Sequence, residues 1–143
     1  MTDKSTPHLA RCGCGALTAE THGAPAAVYL CSCKVCQITS GSAFTYAAVF
    51  SGDDVVVRGE HKAWRHIGES GRWVETHFCP TCGATVFFYA EGMPGEIGVS
   101  VGGFADDDRA AVDAALAPQR MYWASRRRAW VEPPEGAEIV EMQ

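Results

Sequence analysis

Cys79-Pro80-Thr81-Cys82-Gly83 sets two thiols, with two residues between them, directly after the segment Arg72 to Phe78. Its counterpart, Cys12-Gly13-Cys14, lies more than sixty residues earlier, and Cys31-Ser32-Cys33-Lys34-Val35-Cys36 falls between them. These clusters take up all seven cysteines. Gaps of one or two residues let thiolates converge on one ion at ~2.3 Å, the habit of zinc ligands. The two pairs, Cys12, Cys14, Cys79 and Cys82, supply four ligands, enough to close a tetrahedral structural site. The triplet Cys31, Cys33 and Cys36 supplies three, and a zinc with three protein ligands keeps a position open for chemistry. The expectation is two Zn2+ ions per chain.

A disulfide framework competes poorly with this reading. An odd number of cysteines cannot pair completely, and a disulfide between cysteines one residue apart is strained. Met1 to Ala10 is polar and contains Pro7, so no apolar secretion signal is expected there. A redox pair at Cys79 and Cys82 leaves five cysteines unexplained. Reduced thiols then point to a reducing compartment, most simply the cytoplasm.

The 143 residues suit a single domain, residues 1–143, with its core over about 11–130 and polar tails at both ends. Hydrophobic residues make up 47% and charged ones 20%, which favours a packed core over disorder. No apolar run is long enough to cross a membrane. The formal net charge of −5 disfavours nucleic acid as a partner, because phosphate contacts need excess Lys and Arg. Arg126-Arg127-Arg128 is too short to reverse that balance.

The chain reads as mainly β. Expected strands run over Ala16 to Thr21, Val28 to Cys31, Phe44 to Phe50 and Val55 to Arg58. His61 to Ile67 and Arg72 to Phe78 flank Gly68-Glu69-Ser70-Gly71 as a hairpin, and Ala84 to Tyr89 pairs with Glu96 to Val101. A short strand fits Ile139 to Met142. Helix is expected only at Cys33 to Ser40, stopped by Gly41, and at Asp108 to Leu116, stopped before Pro118.

Charge separates the two sites. Four thiolates on Zn2+ give a saturated centre of net −2, suited to stapling distant segments. Three leave a net −1 centre with a vacancy, suited to holding an incoming thiol as thiolate beside an electrophile such as an aldehyde. A histidine could instead close the triplet, and His61, His66 and His77 are the candidates. Spacing alone leaves both possibilities open.

Further segments extend the pattern. Arg11-Cys12-Gly13-Cys14-Gly15-Ala16-Leu17, the Cys31 to Cys36 cluster running into Ser40-Gly41-Ser42-Ala43-Phe44, and Phe78-Cys79-Pro80-Thr81-Cys82-Gly83 occur in order. Val101-Gly102-Gly103-Phe104-Ala105-Asp106 and Pro118-Gln119-Arg120-Met121-Tyr122-Trp123-Ala124-Ser125 follow, through Trp130. Together they resemble the glutathione-dependent formaldehyde-activating enzyme family, which includes centromere protein V, over roughly Arg11 to Trp130. The resemblance implies a zinc-pinned β-tent of small antiparallel sheets. It implies structural zinc on Cys12, Cys14, Cys79 and Cys82, and catalytic zinc on Cys31, Cys33 and Cys36.

The activity so implied is a carbon–sulfur lyase-type reaction joining formaldehyde to glutathione, or reversing that step. Lys34 and Arg126 are the candidate contacts for glutathione's carboxylates, and Phe44, Trp123 and Trp130 the candidate pocket walls. The chain departs from the family pattern at Met121-Tyr122, where relatives often carry histidine and isoleucine, and at Thr76, where they often carry arginine. The alternative is a non-enzymatic zinc-stabilised binding or structural module, with both metals closed and no pocket beside Cys31 to Cys36. A homodimer is compatible with the exposed edges of so small a β fold.

Overall fold

The computed structural model describes residues 8–143. The polar stretch at 1–7 lies outside the described residues. Among the described residues, eleven strands and two α-helices appear in the order β1 (His8–Arg11), β2 (Thr18–Thr21), β3 (Ala27–Cys31), α1 (Lys34–Ser40), β4 (Thr45–Ser51), β5 (Val55–Arg58), β6 (Lys62–Ile67), β7 (Trp73–Phe78), β8 (Thr85–Ala90), β9 (Glu96–Ser100), α2 (Arg109–Ala115), β10 (Arg120–Tyr122) and β11 (Glu138–Val140). The mainly β expectation holds, and its strands fall within a few residues of the expected bounds. None of the described helices is long and apolar enough to cross a membrane.

The strands form two sheets. One has the order β1-β2-β5 and the other β11-β10-β3-β4-β9-β8-β7-β6. β6 and β7 make the expected antiparallel hairpin, with Lys62 opposite Phe78 and Ile67 opposite Trp73. The edge at β10 differs from a purely antiparallel plan, because β10 runs parallel to both β3 and β11. Chain continuity explains this: β10 reaches β3 only after the long excursion through β4 to α2, and no tight turn dictates its direction. His8 to Ala10, assigned by sequence to the polar tail, belong to β1, and Ala10 is fully buried.

Period-two alternation sorts the large sheet's side chains onto two faces. Val28, Ala48, Phe50, Phe87, Ile97 and Val99 pack with Leu17 and Ala19 of the small sheet, and with Phe104 and Leu116, in the main core. Their neighbours Ala27, Tyr29, Cys31, Val49, Phe88, Ser100 and Thr76 line a cleft on the opposite face. Alternation along Ala27-Val28-Tyr29-Leu30-Cys31 therefore delivers the Cys31 thiol to the cleft side.

The sheet curls so that the β6–β7 loop meets α1. The Glu69 carboxylate of that loop accepts from the Lys34 backbone N–H at 2.6 Å and from Arg126 Nε at 2.7 Å. The floor of the curled sheet needs one glycine. A Cβ at Gly98 would lie 2.2 Å from the Phe88 ring, so only glycine lets that ring cross β9. Gly98→Ala is expected to destabilise the fold by about 1–3 kcal/mol, read as a lowered urea midpoint at unchanged slope. A midpoint equal to wild type would contradict this packing.

Candidate metal centres

Two knuckles build the four-thiol cluster. In the first, Cys12 N–H donates to Leu17 O and Leu17 N–H donates to Cys12 Sγ at 3.2 Å. In the second, Cys79 N–H donates to Ala84 O, while Cys79 Sγ accepts from the N–H groups of Thr81 and Cys82 at 3.3 and 3.5 Å. The second turn ends at Gly83, whose φ of +80° reverses the chain and lets its N–H bond Cys79 O at 2.8 Å. N–H donors aimed at sulfur favour thiolates.

The sulfurs themselves are spaced for a tetrahedron. Cys14 Sγ lies 3.7 Å from both Cys12 Sγ and Cys79 Sγ. Four ligands at ~2.3 Å around one ion stand about 3.8 Å apart, so the donor set fits zinc. All four Sγ atoms lie within 4.8 Å of one another. Cys12 and Cys79 belong to the main core, whereas Cys14 and Cys82 are exposed. All seven cysteines are free of disulfides.

The triplet sits where β3 passes into α1. Cys31 ends the strand, Cys33 is the helix N-cap and Cys36 lies in the first turn. Cys33 Sγ accepts from Cys36 N–H at 3.2 Å, the bond an N-cap side chain makes. Gly41, at φ 64°, closes the short helix as expected. The intervening Ser32 is clamped on both sides: its N–H donates to Tyr122 O at 3.0 Å, and its carbonyl accepts from Gln37 Nε2 at 2.8 Å. The three Sγ atoms lie within 4.8 Å of one another.

Proximity splits the titration of the triplet. Hydrogen bonds from Cys31 and Cys36 hold the Cys33 thiol down at about 3. The same contacts with Cys33 and Cys36, together with burial, push Cys31 far up. Cys36 gains from Cys31, but its contact with Cys33 and its burial outweigh that and raise it to about 11. Without a cation, then, the cluster favours one thiolate among its three sulfurs. A dication that recruits all three must displace the remaining protons.

The histidines fall elsewhere. None joins the cysteine triplet in a common ligand group. His77 is on the face away from the cleft, stacked on Phe87 with its Nε2 2.8 Å from Glu75 Oε1. His61 packs edge-on to the same Phe87. His66 does line the cleft, and its Nδ1 has no hydrogen-bond partner.

The cleft beside the triplet encloses about 790 Å³. Of the expected wall residues, Trp123 lines it, at a left-handed φ of 54°. Phe44 packs instead against the small cluster of Leu30, Met121, Ala124 and Val131. Lys34, Arg126 and Trp130 line a separate concavity of about 660 Å³. Sequence reading passed over Glu69 and Arg72, both of which line the cleft. The signal was the hairpin itself: once its loop is placed against α1, those side chains follow.

This is a mainly β protein whose two cysteine clusters could hold metal ions, one sealed by four thiols and one three-thiol set beside a cleft. The family model described as glutathione-dependent formaldehyde-activating enzyme matches residues 7–126, and the chain belongs to that family. A crystal structure of a Rhodobacter sphaeroides protein shares the fold, with a TM-score of 0.54 at 23% identity, over 73% of this chain and 94% of that one. Comparison with curated proteins found no match.

Proposed function

We propose that this protein is a zinc-dependent carbon–sulfur lyase handling adducts of a glutathione-like thiol and a formaldehyde-like aldehyde. The observation that carries the reading is the triplet: Cys31, Cys33 and Cys36 converge at the wall of a cleft, with no fourth ligand among the described residues. A closed, purely structural module has no need of that cleft. Family membership supports the same substrates.

When bound by the triplet, zinc supplies positive charge that favours a substrate thiolate over the thiol. In the forward direction the thiol loses its proton and its sulfur bonds to the aldehyde carbon. The carbonyl π pair moves to oxygen, which takes up a proton, giving an S-hydroxymethyl thioether. Cys31, Cys33 and Cys36 would hold the metal, and the Ser32 clamp fixes their spacing. Tyr29 and Trp123 wall the cleft and limit water at the reacting carbon. Lys34 and Arg126 stand outside this cleft, lining the neighbouring concavity beside α1, where Arg126 is held by Glu69. Cys12, Cys14, Cys79 and Cys82 would hold a second zinc, which would tie the small sheet's entry to the β7–β8 turn. Reduced thiols in both clusters suit a cytoplasmic setting.

The deciding measurement is zinc per chain on protein purified under reducing conditions, with and without excess glutathione. A content near two that falls toward one as thiol is added is the expected result. Two zincs that glutathione leaves undisturbed would reject the open site.

A further inference from the structure

The cleft beside the triplet is lined by four charged side chains, Glu69, Arg72, Glu96 and Arg120. Two of them are neutralised. Glu69 binds Arg126 at 2.7 Å, and Arg120 donates to Glu138 at 3.0 Å and to Tyr122 Oη at 3.2 Å. Arg72 is different. Its Nε and its backbone N–H both reach only Ser70 Oγ, at 3.4 Å, and it forms no ion pair among the described residues.

The fold fixes where this cation stands. Gly68 N–H bonds Arg72 O at 2.9 Å, and His66 is registered opposite Val74, so Arg72, Val74 and His66 share the face that lines the cleft. Glu69, three residues earlier, touches the N–H of Lys34, which follows Cys33, so the loop stands next to the triplet. The guanidinium passes over Gly92 of the β8–β9 turn, where a Cβ would lie 3.3 Å from its Nη1. Glu96, at the start of β9, also lacks an ion pair among the described residues and repels anions at its end of the cleft. An anionic group entering the cleft therefore meets one uncommitted positive partner.

We infer that Arg72 anchors a carboxylate of the substrate thiol, so that the cleft selects acidic thiols over neutral ones. The inference rests on the thiol reading of the triplet and supplies its specificity. A guanidinium takes a carboxylate through two parallel N–H donors, a geometry that lysine cannot reproduce. Arg72 is exposed, so the effect is set at the modest end of the range for charged hydrogen bonds.

The test is calorimetric titration of the zinc-loaded protein with S-methylglutathione, whose blocked sulfur cannot ionise, and with its dimethyl ester. Wild type is expected to bind the acid more tightly than the ester. Arg72→Gln should weaken the acid about tenfold and leave the ester unchanged, with Arg72→Lys in between. Added salt should weaken wild type more than Arg72→Gln. The inference is overturned if wild type binds neither form or fails to distinguish them, or if Arg72→Gln weakens both equally or neither. Turnover separates this result from the lyase reading. Protein that turns over thiols without any dependence on Arg72 loses the anchor and keeps the lyase. Protein that binds the acid through Arg72 yet turns over nothing keeps the anchor and loses the lyase.

Discussion

Cys79→Ser is expected to lower the melting temperature by roughly 15 °C or more and to remove one zinc per chain. Cys79 is 1% exposed, within the main core, and its sulfur takes two backbone N–H bonds while standing 3.7 Å from Cys14 Sγ. Serine offers a shorter and harder donor, so the tetrahedron falls to three ligands. The remaining thiolates then repel one another in a half-buried knuckle. A structural zinc site contributes about 10 kcal/mol or more to folding, and loss of even half of that moves the midpoint of a domain this size by tens of degrees. Thermal melts paired with metal analysis check this. A variant that retains two zincs and melts within a few degrees of wild type would remove the structural role from this cluster.

Cys33→Ser should do the reverse: thiol-dependent turnover falls at least about a hundredfold while the melting point moves much less than in Cys79→Ser. The asymmetry follows from what Cys33 does locally. It caps α1 by accepting the Cys36 N–H, and serine is among the best residues for that task. The helix and the Ser32 clamp thus survive, and what disappears is the third sulfur of a cluster at the cleft wall. Melting curves and initial rates on the same preparation decide it. Equal destabilisation by both variants would show that the two clusters are not divided into structural and catalytic sites.

Much of this was legible in the chain because the signals are local. Asp108 caps α2 and Cys33 caps α1, each where the sequence placed a helix start. Gly68-Glu69-Ser70-Gly71 announced a hairpin, and the apolar runs in Phe44 to Phe50 and Ala84 to Tyr89 announced strands. The cysteine clusters were legible for the same reason, since ligand spacing is a short-range property. The elements that escaped depend on distant partners. β10 has three residues, too few for a period, and exists because β3 offers it an edge. β1 begins in a polar stretch and is recruited by β2. The commitment of Arg126 to Glu69 joins residues 57 positions apart, and no local pattern reports it.

The two clusters also differ in how far apart their ligands lie along the chain, which matters while the protein is being made. Cys31, Cys33 and Cys36 leave the ribosome almost together. Cys14 and Cys79 are 65 positions apart, which at about 5–20 residues per second is an interval of several seconds. During that interval the Cys12 and Cys14 thiols have no partners, open to oxidants and to stray metal. On the two-zinc reading, a nascent chain short of metal would fill its compact cluster first and its long-range one last, and the completeness of the fold would track the metal supply at the moment of synthesis.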